Sequence, residues 1–299
     1  MTNLMNSLIT PTESLKPSLK NDFHKRIGKH YLQRFSRFNS FRQGYSIFQN
    51  QLQSFNPTAY TKRLAMGEKS IFAGMETEKF VADLEESSVS YGLQLPANMV
   101  SEILEFATRT PSIEPGFDDE FVPKDIQNGR LRGGRYVMRG LVSNVIDCPA
   151  IKQLVHDPLL LEIVRKYLNY WPTLITQHLT WSFASDQSEE EIQKIYPPTN
   201  FHYDVAGYNF MTSYFYITDV DADSGPHIMI KNSRDNKPLK MLLRSNLQTD
   251  DAVYSYYGKD SEVVITGKSG FGFVQDPSCL HKVKSPTTAN RLLLQIRYS

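Results

Sequence analysis

The sequence predicts an α+β fold with a mainly β core: a jelly roll of the double-stranded β-helix, cupin-like type, with N-terminal helices packed around it. After Pro172 the chain consists of short β-rich runs separated by turn residues, without a long helical pattern. Before Pro172, apolar residues recur at helical spacing over several segments. The 299 residues include 17 Phe and 16 Tyr, an abundance of aromatics that favours strands over a helical bundle.

Helical spacing predicts four helices in the first half of the chain. The last of them begins with Asp157 as N-cap and Pro158 at the first position, which is a favourable helix start. The first helix is expected to break near Gly44. The predicted ranges are 22–52, 77–91, 96–108 and 157–168.

Eight short runs rich in β-forming residues predict the strands of the core. Because no helical crossover separates them, they indicate an antiparallel double-sheet jelly roll or barrel. We expect a flexible arm over 1–20, a mainly helical region over 21–170 and the core over 171–299, the last two forming one structural domain. The predicted strands cover 173–183, 201–204, 209–218, 227–230, 262–266, 271–274, 280–283 and 291–298.

Composition excludes several classes of protein. Hydrophobic residues make up 40% and charged residues 22% of the chain, which is ordinary for a globular protein. No apolar run approaches the length of a membrane span, and the first residues lack the apolar segment of a signal peptide. Cys148 and Cys279 have no CxxC spacing, so we expect a reducing, cytoplasmic location.

A net charge of +1 conceals an uneven distribution. Residues 1–65 contain ten Lys or Arg against two acidic residues, whereas the remainder is acidic overall. Such a region is most simply a helix face that docks against an acidic body. The alternatives are an arm that binds nucleic acid or a membrane surface, and a transit peptide. We expect no nucleic-acid partner, because the region lacks a recognised nucleic-acid-binding signature.

The most informative feature for chemistry is the trio His202, Asp204 and His281. In a strand, residues i and i+2 point to the same face, so His202 and Asp204 can face one point inside the core. His281 follows a turn at the start of a late strand, where a jelly roll can bring it beside the first two. Two imidazoles and one carboxylate form the ligand set that holds ferrous iron on one face.

Arg291 and Arg297 occupy the last predicted strand. An inward guanidinium at Arg291 among Leu and Ile neighbours is costly unless it meets an anion, and its planar fork suits a carboxylate. We expect Arg297 to lie at a strand edge with its guanidinium directed to solvent.

These motifs resemble the phytanoyl-CoA dioxygenase family of iron(II)- and 2-oxoglutarate-dependent oxygenases. The resemblance covers residues 173–298 and is carried by Phe201-His-Tyr-Asp204, Tyr214-Phe-Tyr-Ile-Thr-Asp-Val-Asp-Ala-Asp-Ser-Gly-Pro226, His281 and Arg291. It implies that the trio binds Fe(II) and that Arg291 binds the far carboxylate of 2-oxoglutarate, with O2 as second cosubstrate. By the same resemblance Gln177 and Tyr214 line the 2-oxoglutarate site.

The chain departs from the family pattern after Gly225-Pro226. A Pro-Gly-Ser-His turn usually follows, whereas this chain has Ile230-Lys-Asn-Ser-Arg234. His227 replaces a commonly aliphatic residue, which could place a polar group near the substrate or on the opposite face. Asp204 is retained, and because related halogenases lack this carboxylate, hydroxylation is favoured over halogenation.

The resemblance and the trio together predict a dioxygenase that hydroxylates a C–H bond of a small molecule, with lipids and secondary metabolites as candidate classes. The alternative is a non-catalytic jelly-roll binding module with a vestigial metal site. A third hypothesis assigns the function to the basic N-terminal region, and it predicts binding that weakens steeply with salt. The sequence specifies neither the substrate nor the oligomeric state.

Overall fold

The first half of the chain is mainly helical in the computed structural model, which describes residues 31–57, 69–205 and 207–299. The predicted arm over 1–20 lies outside the described residues, as do the first residues of the predicted helix 22–52. The helices of this half are α1 (Asn39–Ser54), α2 (Thr77–Ser87), α3 (Ala97–Arg109), α4 (Pro149–Val155) and α5 (Pro158–Leu168).

The predicted break of the first helix near Gly44 is wrong. A 3₁₀ helix covers Tyr31–Arg37, Phe38 is extended, and α1 then runs through Gly44 without interruption. A single glycine costs a helix only about 1 kcal/mol relative to alanine, so it weakens a helix without ending it. No sequence feature of this kind indicates the change from 3₁₀ helix to α-helix at Phe38.

The predicted helix 77–91 ends four residues early. Ser88 adopts a left-handed conformation with φ of 66°, and its backbone N–H still bonds to the Leu84 carbonyl. The next residues form strand β1 (Val89–Gln94), which pairs with a late strand. Tertiary pairing therefore overrides the local helical pattern here.

The eight predicted core strands are all present. The strands of the described residues are β1 (Val89–Gln94), β2 (Ser112–Ile113), β3 (Glu120–Phe121), β4 (Ile126–Gln127), β5 (Arg130–Leu131), β6 (Arg139–Val142), β7 (Ile175–Ser182), β8 (Phe201–His202), β9 (Met211–Tyr216), β10 (His227–Ile230), β11 (Leu247–Gln248), β12 (Glu262–Ile265), β13 (Phe271–Gln275), β14 (His281–Val283) and β15 (Arg291–Tyr298). The eight predicted strands correspond to β7–β10 and β12–β15.

Short helices also interrupt the strand-rich half, which the sequence did not indicate. They are α6 (Glu189–Ile195), α7 (Leu239–Leu243) and α8 (Asp250–Tyr257), together with 3₁₀ turns at Pro197–Thr199 and Lys259–Ser261. Two other 3₁₀ turns, Pro123–Asp125 and Val145–Asp147, lie in the first half of the chain. Within the described ranges no helix is both long enough and apolar enough to cross a membrane.

Two antiparallel sheets form the core. The large sheet has the order β1-β13-β9-β15-β7-β6-β2-β3 and the small sheet the order β11-β8-β14-β10-β12. Successive strands from β7 onward are distributed between the two sheets, which is consistent with a jelly roll. The large sheet includes strands from both halves of the chain. The predicted class, helices combined with an antiparallel β core, is thus confirmed.

The alternation of side chains along β15 separates two cores. Leu292, Leu294 and Ile296 belong to the apolar cluster between the large sheet and the helices. Leu293 belongs instead to the cluster between the two sheets. Since alternate residues share a face, Arg291 and Arg297 face the space between the sheets together with Leu293.

The start of α5 carries a buried cap. The Asp157 side chain is 2% exposed, and its carboxylate accepts hydrogen bonds from Leu159 N at 2.9 Å and Leu160 N at 3.1 Å. It also accepts from Ser70 Oγ at 3.0 Å and Ile71 N at 2.7 Å, so it ties the segment before α2 to α5.

We expect Asp157→Ala to lower the free energy of unfolding by about 2–3 kcal/mol, because the substitution removes the helix cap and leaves buried donors without an acceptor. Urea unfolding measures it. Thr249→Ala, at the cap of the more exposed α8, is the control, with an expected loss of about 1 kcal/mol. Equal losses in the two variants would contradict the assigned role of Asp157.

Candidate metal centre

His202 and His281 lie directly opposite each other in the small sheet, on β8 and β14. Their ring centroids are 4.4 Å apart. Asp204 follows His202 on the same face, and its Oδ1 lies 3.8 Å from His202 Nε2 and 3.9 Å from His281 Nε2. The structure thus brings the three predicted ligand residues together, with one donor atom of each within 4.8 Å of the others.

Backbone carbonyls orient both imidazoles. His202 Nδ1 lies 2.9 Å from the Asn200 carbonyl oxygen, and His281 Nδ1 lies 3.0 Å from the Cys279 carbonyl oxygen. A carbonyl oxygen only accepts, so Nδ1 carries the proton in each ring and the Nε2 lone pair points towards Asp204. This is the arrangement that holds a histidine ready for a metal ion.

The charge states of His281 and Asp204 also suit a metal. Burial and the neighbouring His202 lower the pKa of His281 to about 4 against the opposing effect of Asp204, so the ring is neutral at pH 7. Burial would raise the pKa of Asp204, but Arg297, His281 and His202 together hold it below its usual value. A neutral imidazole at His281 and an ionised carboxylate at Asp204 can therefore bind a divalent cation without first releasing protons at pH 7.

The expectation that Arg297 is directed to solvent is wrong. Its Nη2 donates a hydrogen bond of 2.6 Å to Asp204 Oδ2, and its side chain is 24% exposed. The pair leaves Asp204 Oδ1, the oxygen nearer the two imidazoles, for a metal ion. Arg297 was misplaced because its partner lies 93 residues earlier in the chain, just beyond strand β8 of the other sheet.

Arg291 is 2% exposed and faces the space between the sheets. Its Nη2 donates to Ser182 Oγ at 2.9 Å and its Nη1 to the Gly225 carbonyl, while Nε has no acceptor in 31–57, 69–205 or 207–299. Burial lowers its pKa. No carboxylate of the described residues pairs with it, so this buried cation fits an anionic ligand that enters between the sheets.

Tyr214 and Gln177 lie on opposite faces of the large sheet. Tyr214 is buried among the residues between the sheets, 5.2 Å from the His227 ring by ring centroids. Gln177 pairs with Ile296, whose side chain packs against the helices. The structure therefore brings Tyr214 near the trio and directs Gln177 away from it.

His227 faces inward, which decides between the two placements that the sequence left open. Its ring lies 5.3 Å from the His281 ring and is stacked on it. The side chain is buried, its Nε2 has no hydrogen-bond partner among the residues that the structure describes, and burial lowers its pKa well below the usual value. A neutral His227 therefore stands beside the candidate metal ligands.

Sequence reasoning missed two further residues on the inner face. His178 is exposed, and its strand position is opposite Gln295, which in turn pairs with Tyr214. Arg139 pairs with Ser182 on the same face, and its guanidinium lies 5.1 Å from the Tyr196 ring. Strand parity would have found both once the inward face of β7 was known.

No model of a protein family matches the chain, and a search of curated proteins gives no match. Solved structures do match. EvdO2 from Micromonospora carbonacea var. aurantiaca matches with a TM-score of 0.52 and 14% identity, over 77% of this chain and 93% of that one. At this identity the match shows a shared fold. EvdO2 has also been solved in complex with 2-oxoglutarate.

Two other solved structures are similar at a lower score. HygX from Streptomyces hygroscopicus, solved with nickel and 2-oxoglutarate bound, matches with a TM-score of 0.49 and 14% identity over 75% of this chain and 87% of that one. The non-heme alpha-ketoglutarate-dependent epimerase SnoN from nogalamycin biosynthesis has a TM-score of 0.49 and 15% identity, over 74% and 82% of the two chains.

The Arg297–Asp204 pair predicts a pH dependence in the metal-free protein. A carboxylate with a lowered pKa stabilises the fold above its unfolded pKa, and this stabilisation is lost as the pH falls through the folded value. We expect Arg297→Gln to lower the free energy of unfolding most at pH 6–7. The difference from the native sequence should shrink below about pH 4, as Asp204 becomes protonated.

Chemical unfolding at several pH values measures this difference. Arg297→Lys keeps the positive charge and serves as the matched control, with a smaller difference expected throughout. A pH-independent difference for Arg297→Gln would show that Arg297 does not act through the charge of Asp204.

Proposed function

We propose that this protein is an Fe(II)- and 2-oxoglutarate-dependent dioxygenase that hydroxylates a C–H bond of a small-molecule substrate and releases succinate and CO2. The proposal rests on the observation that two groups of side chains face the same space between the sheets. One is a trio of two imidazoles and a carboxylate with converging donors. The other is Arg291, a buried cation without a carboxylate partner among the described residues.

His202, Asp204 and His281 would hold Fe(II) through Nε2, Oδ1 and Nε2. The donor set fits iron because two imidazoles and one carboxylate on one side leave further positions for reactants. Bound iron with O2 and 2-oxoglutarate would supply the oxidising chemistry. EvdO2, which shares this fold, has been solved with 2-oxoglutarate, in accord with this cosubstrate.

Arg291 would bind the far carboxylate of 2-oxoglutarate. Its planar fork can bond both carboxylate oxygens at once, and a water-poor setting strengthens each of these bonds. Ser182 and the Gly225 carbonyl already orient two of its nitrogens. Tyr214, Phe273 and Leu293 would keep water away from the cosubstrate. Gln177 has no role in this proposal, because its side chain is on the helix-facing side.

The intact carboxylate favours hydroxylation. Asp204 would occupy the position that a halide needs on the metal, so halogenation is disfavoured. A vestigial binding module, the alternative, would have no need to retain a buried arginine without a carboxylate partner, since such a group costs stability. The resemblance of residues 173–298 to the phytanoyl-CoA dioxygenase family supports the same activity.

The same proposal covers the architecture. We propose that the two sheets form a double-stranded β-helix and that 21–170 and 171–299 are one structural domain, since β1 and β6 share a sheet with β15. A reducing compartment such as the cytoplasm suits Cys148 and Cys279, which are buried and unpaired.

Turnover without substrate tests the function. Fe(II)-loaded protein should convert 2-oxoglutarate to succinate slowly in air, and His202→Ala should abolish this conversion because one of three metal ligands is lost. Succinate is measured by mass spectrometry. A folded, iron-loaded protein that forms no succinate, or a His202→Ala variant that forms as much as the native sequence, would refute the activity.

Cosubstrate binding tests Arg291. We expect Arg291→Gln to raise the KM for 2-oxoglutarate about 10- to 100-fold, as expected for the loss of charge-assisted hydrogen bonds. Arg139→Gln, on the same inner face, is the matched control and should leave this KM within about twofold. Similar KM changes in both variants would contradict a specific carboxylate site at Arg291.

A further inference from the structure

The turn between β13 and β14 contacts two of the three candidate ligand residues through its backbone. The Pro277 carbonyl accepts a hydrogen bond of 2.8 Å from the backbone N–H of Asp204. Two residues later, the Cys279 carbonyl accepts from His281 Nδ1 at 3.0 Å. The position of this turn therefore determines where Asp204 lies and how the His281 ring is oriented.

Asp276 holds the turn in place. Its backbone N–H donates to the Ser88 carbonyl at 2.9 Å, and its own carbonyl accepts from Cys279 N at 3.1 Å. Its carboxylate is buried and accepts hydrogen bonds from Ser278 N at 2.9 Å and the Tyr167 hydroxyl at 2.6 Å. Asp276 thus fixes the turn through its carboxylate at Ser278 and through its backbone carbonyl at Cys279.

Arg42 supplies the opposing charge from helix α1. Its Nη1 donates to Asp276 Oδ2 at 2.8 Å and Oδ1 at 3.1 Å, and to Ser278 Oγ at 2.6 Å. The Arg42 and Asp276 side chains are only 5% and 2% exposed. Burial would raise the pKa of Asp276, but Arg42 is the largest of the influences that instead lower it to about 2.

We propose that the Arg42–Asp276 ion pair positions Asp204 and His281, so that helix α1, which carries Arg42, helps to set the geometry of the metal centre. The proposal rests on the function proposed above. Arg42 is a positioning residue because it acts through Asp276 and the turn. Loss of its charge leaves the buried Asp276 carboxylate without its directly bonded cation, because Arg234 bonds to the Tyr167 hydroxyl and not to Asp276. We expect the turn to move in response, since a buried carboxylate that loses its ion-pair partner is destabilising.

The basic N-terminal region gains a specific role from this pair. Arg42 is one of the ten basic residues of 1–65, and it is buried against an acidic partner 234 residues later. The simplest expectation from the charge distribution, a basic helix face docked against an acidic body, thus holds for Arg42, with the difference that the contact is buried and adjoins the candidate metal ligands.

The test compares Arg42→Gln with a matched ion-pair variant elsewhere. Arg135 pairs with Glu114, whose side chain is 8% exposed and also accepts from Met138 N at 2.7 Å. Glu114 follows β2, towards the opposite edge of the large sheet from β13. Arg135→Gln therefore removes the arginine partner of another buried carboxylate without touching the turn, although Arg135 itself is more exposed, at 27%, than Arg42.

The first readout needs no metal. Native-state hydrogen exchange of the Asp204 amide reports its bond to Pro277 directly. We expect exchange at this amide to be at least tenfold faster in Arg42→Gln, corresponding to about 1.4 kcal/mol. In Arg135→Gln we expect no change in its rate beyond the change that the global stability of that variant explains. An unchanged rate in folded Arg42→Gln would overturn the proposal.

The second readout is the binding of Co(II) to the metal-free protein, followed by calorimetry and by the visible absorption of the bound ion. Arg42→Gln should raise the Kd for Co(II) about tenfold and alter the absorption spectrum, whereas Arg135→Gln should change neither. Arg42→Lys, which keeps a charged donor, should restore part of the affinity. An unchanged Kd and spectrum in Arg42→Gln, or equal changes in Arg135→Gln, would overturn the proposal.

Two outcomes separate this proposal from the function itself. If the native sequence binds no Co(II), the proposed metal centre fails, while the exchange rate at Asp204 still decides the coupling. If Arg42→Gln does not fold, Tyr167→Phe takes the place of that variant in both measurements. It removes a single hydrogen bond to Asp276. We then expect about threefold effects, and their absence overturns the coupling.

Discussion

The antiparallel pairing of β8 with β14 is the constraint on which the candidate site depends. It places His202 opposite His281, and the bond from the Asp204 backbone to Pro277 extends the contact by two residues. Segments almost eighty positions apart thereby supply three donor atoms to one point. A slip of β8 by one residue would turn His202 and Asp204 to the other face of the small sheet, away from His281.

The same two-residue alternation organises the large sheet. Along β15 it sends Leu292, Leu294 and Ile296 towards the helices and Arg291 and Arg297 towards the trio. The two arginines have different surroundings. Arg297 already has a carboxylate partner in Asp204, whereas within the described part of the chain Arg291 has only a hydroxyl and a carbonyl as acceptors. A buried cation in the position of Arg291 lowers the stability of the fold, and a bound anion would offset this loss.

Much of this arrangement is predictable from sequence because it depends on strand parity. His202 and Asp204 share a face in any strand, and eight β-rich runs without crossovers indicate two antiparallel sheets. However, strand parity shows only which residues share a face, and the register of strand pairing is needed to tell which face points inward. Gln177 is on the predicted strand, but only its pairing with Ile296 shows that it faces the helices. Arg297 could not be assigned because its partner comes from the other sheet.

Long-range contacts also explain the differences in the helical half. Residues 89–91 continue a helical pattern but pair with β13, and the ion pair of Arg42 with Asp276 joins positions that no local pattern relates. Gly44 shows the converse error, since a residue of low helix propensity lies within an unbroken helix. Local propensity predicts the structure correctly where hydrogen bonds between neighbouring residues determine it, as at the Asp157 cap of α5.

A crystal structure of the protein prepared without oxygen, with Fe(II) and 2-oxoglutarate, is the most direct test of the central claim. We expect iron within about 2.0–2.2 Å of His202 Nε2, Asp204 Oδ1 and His281 Nε2, and the far carboxylate of 2-oxoglutarate on the Arg291 guanidinium. Iron bound elsewhere, or 2-oxoglutarate anchored on a residue other than Arg291, would contradict the account.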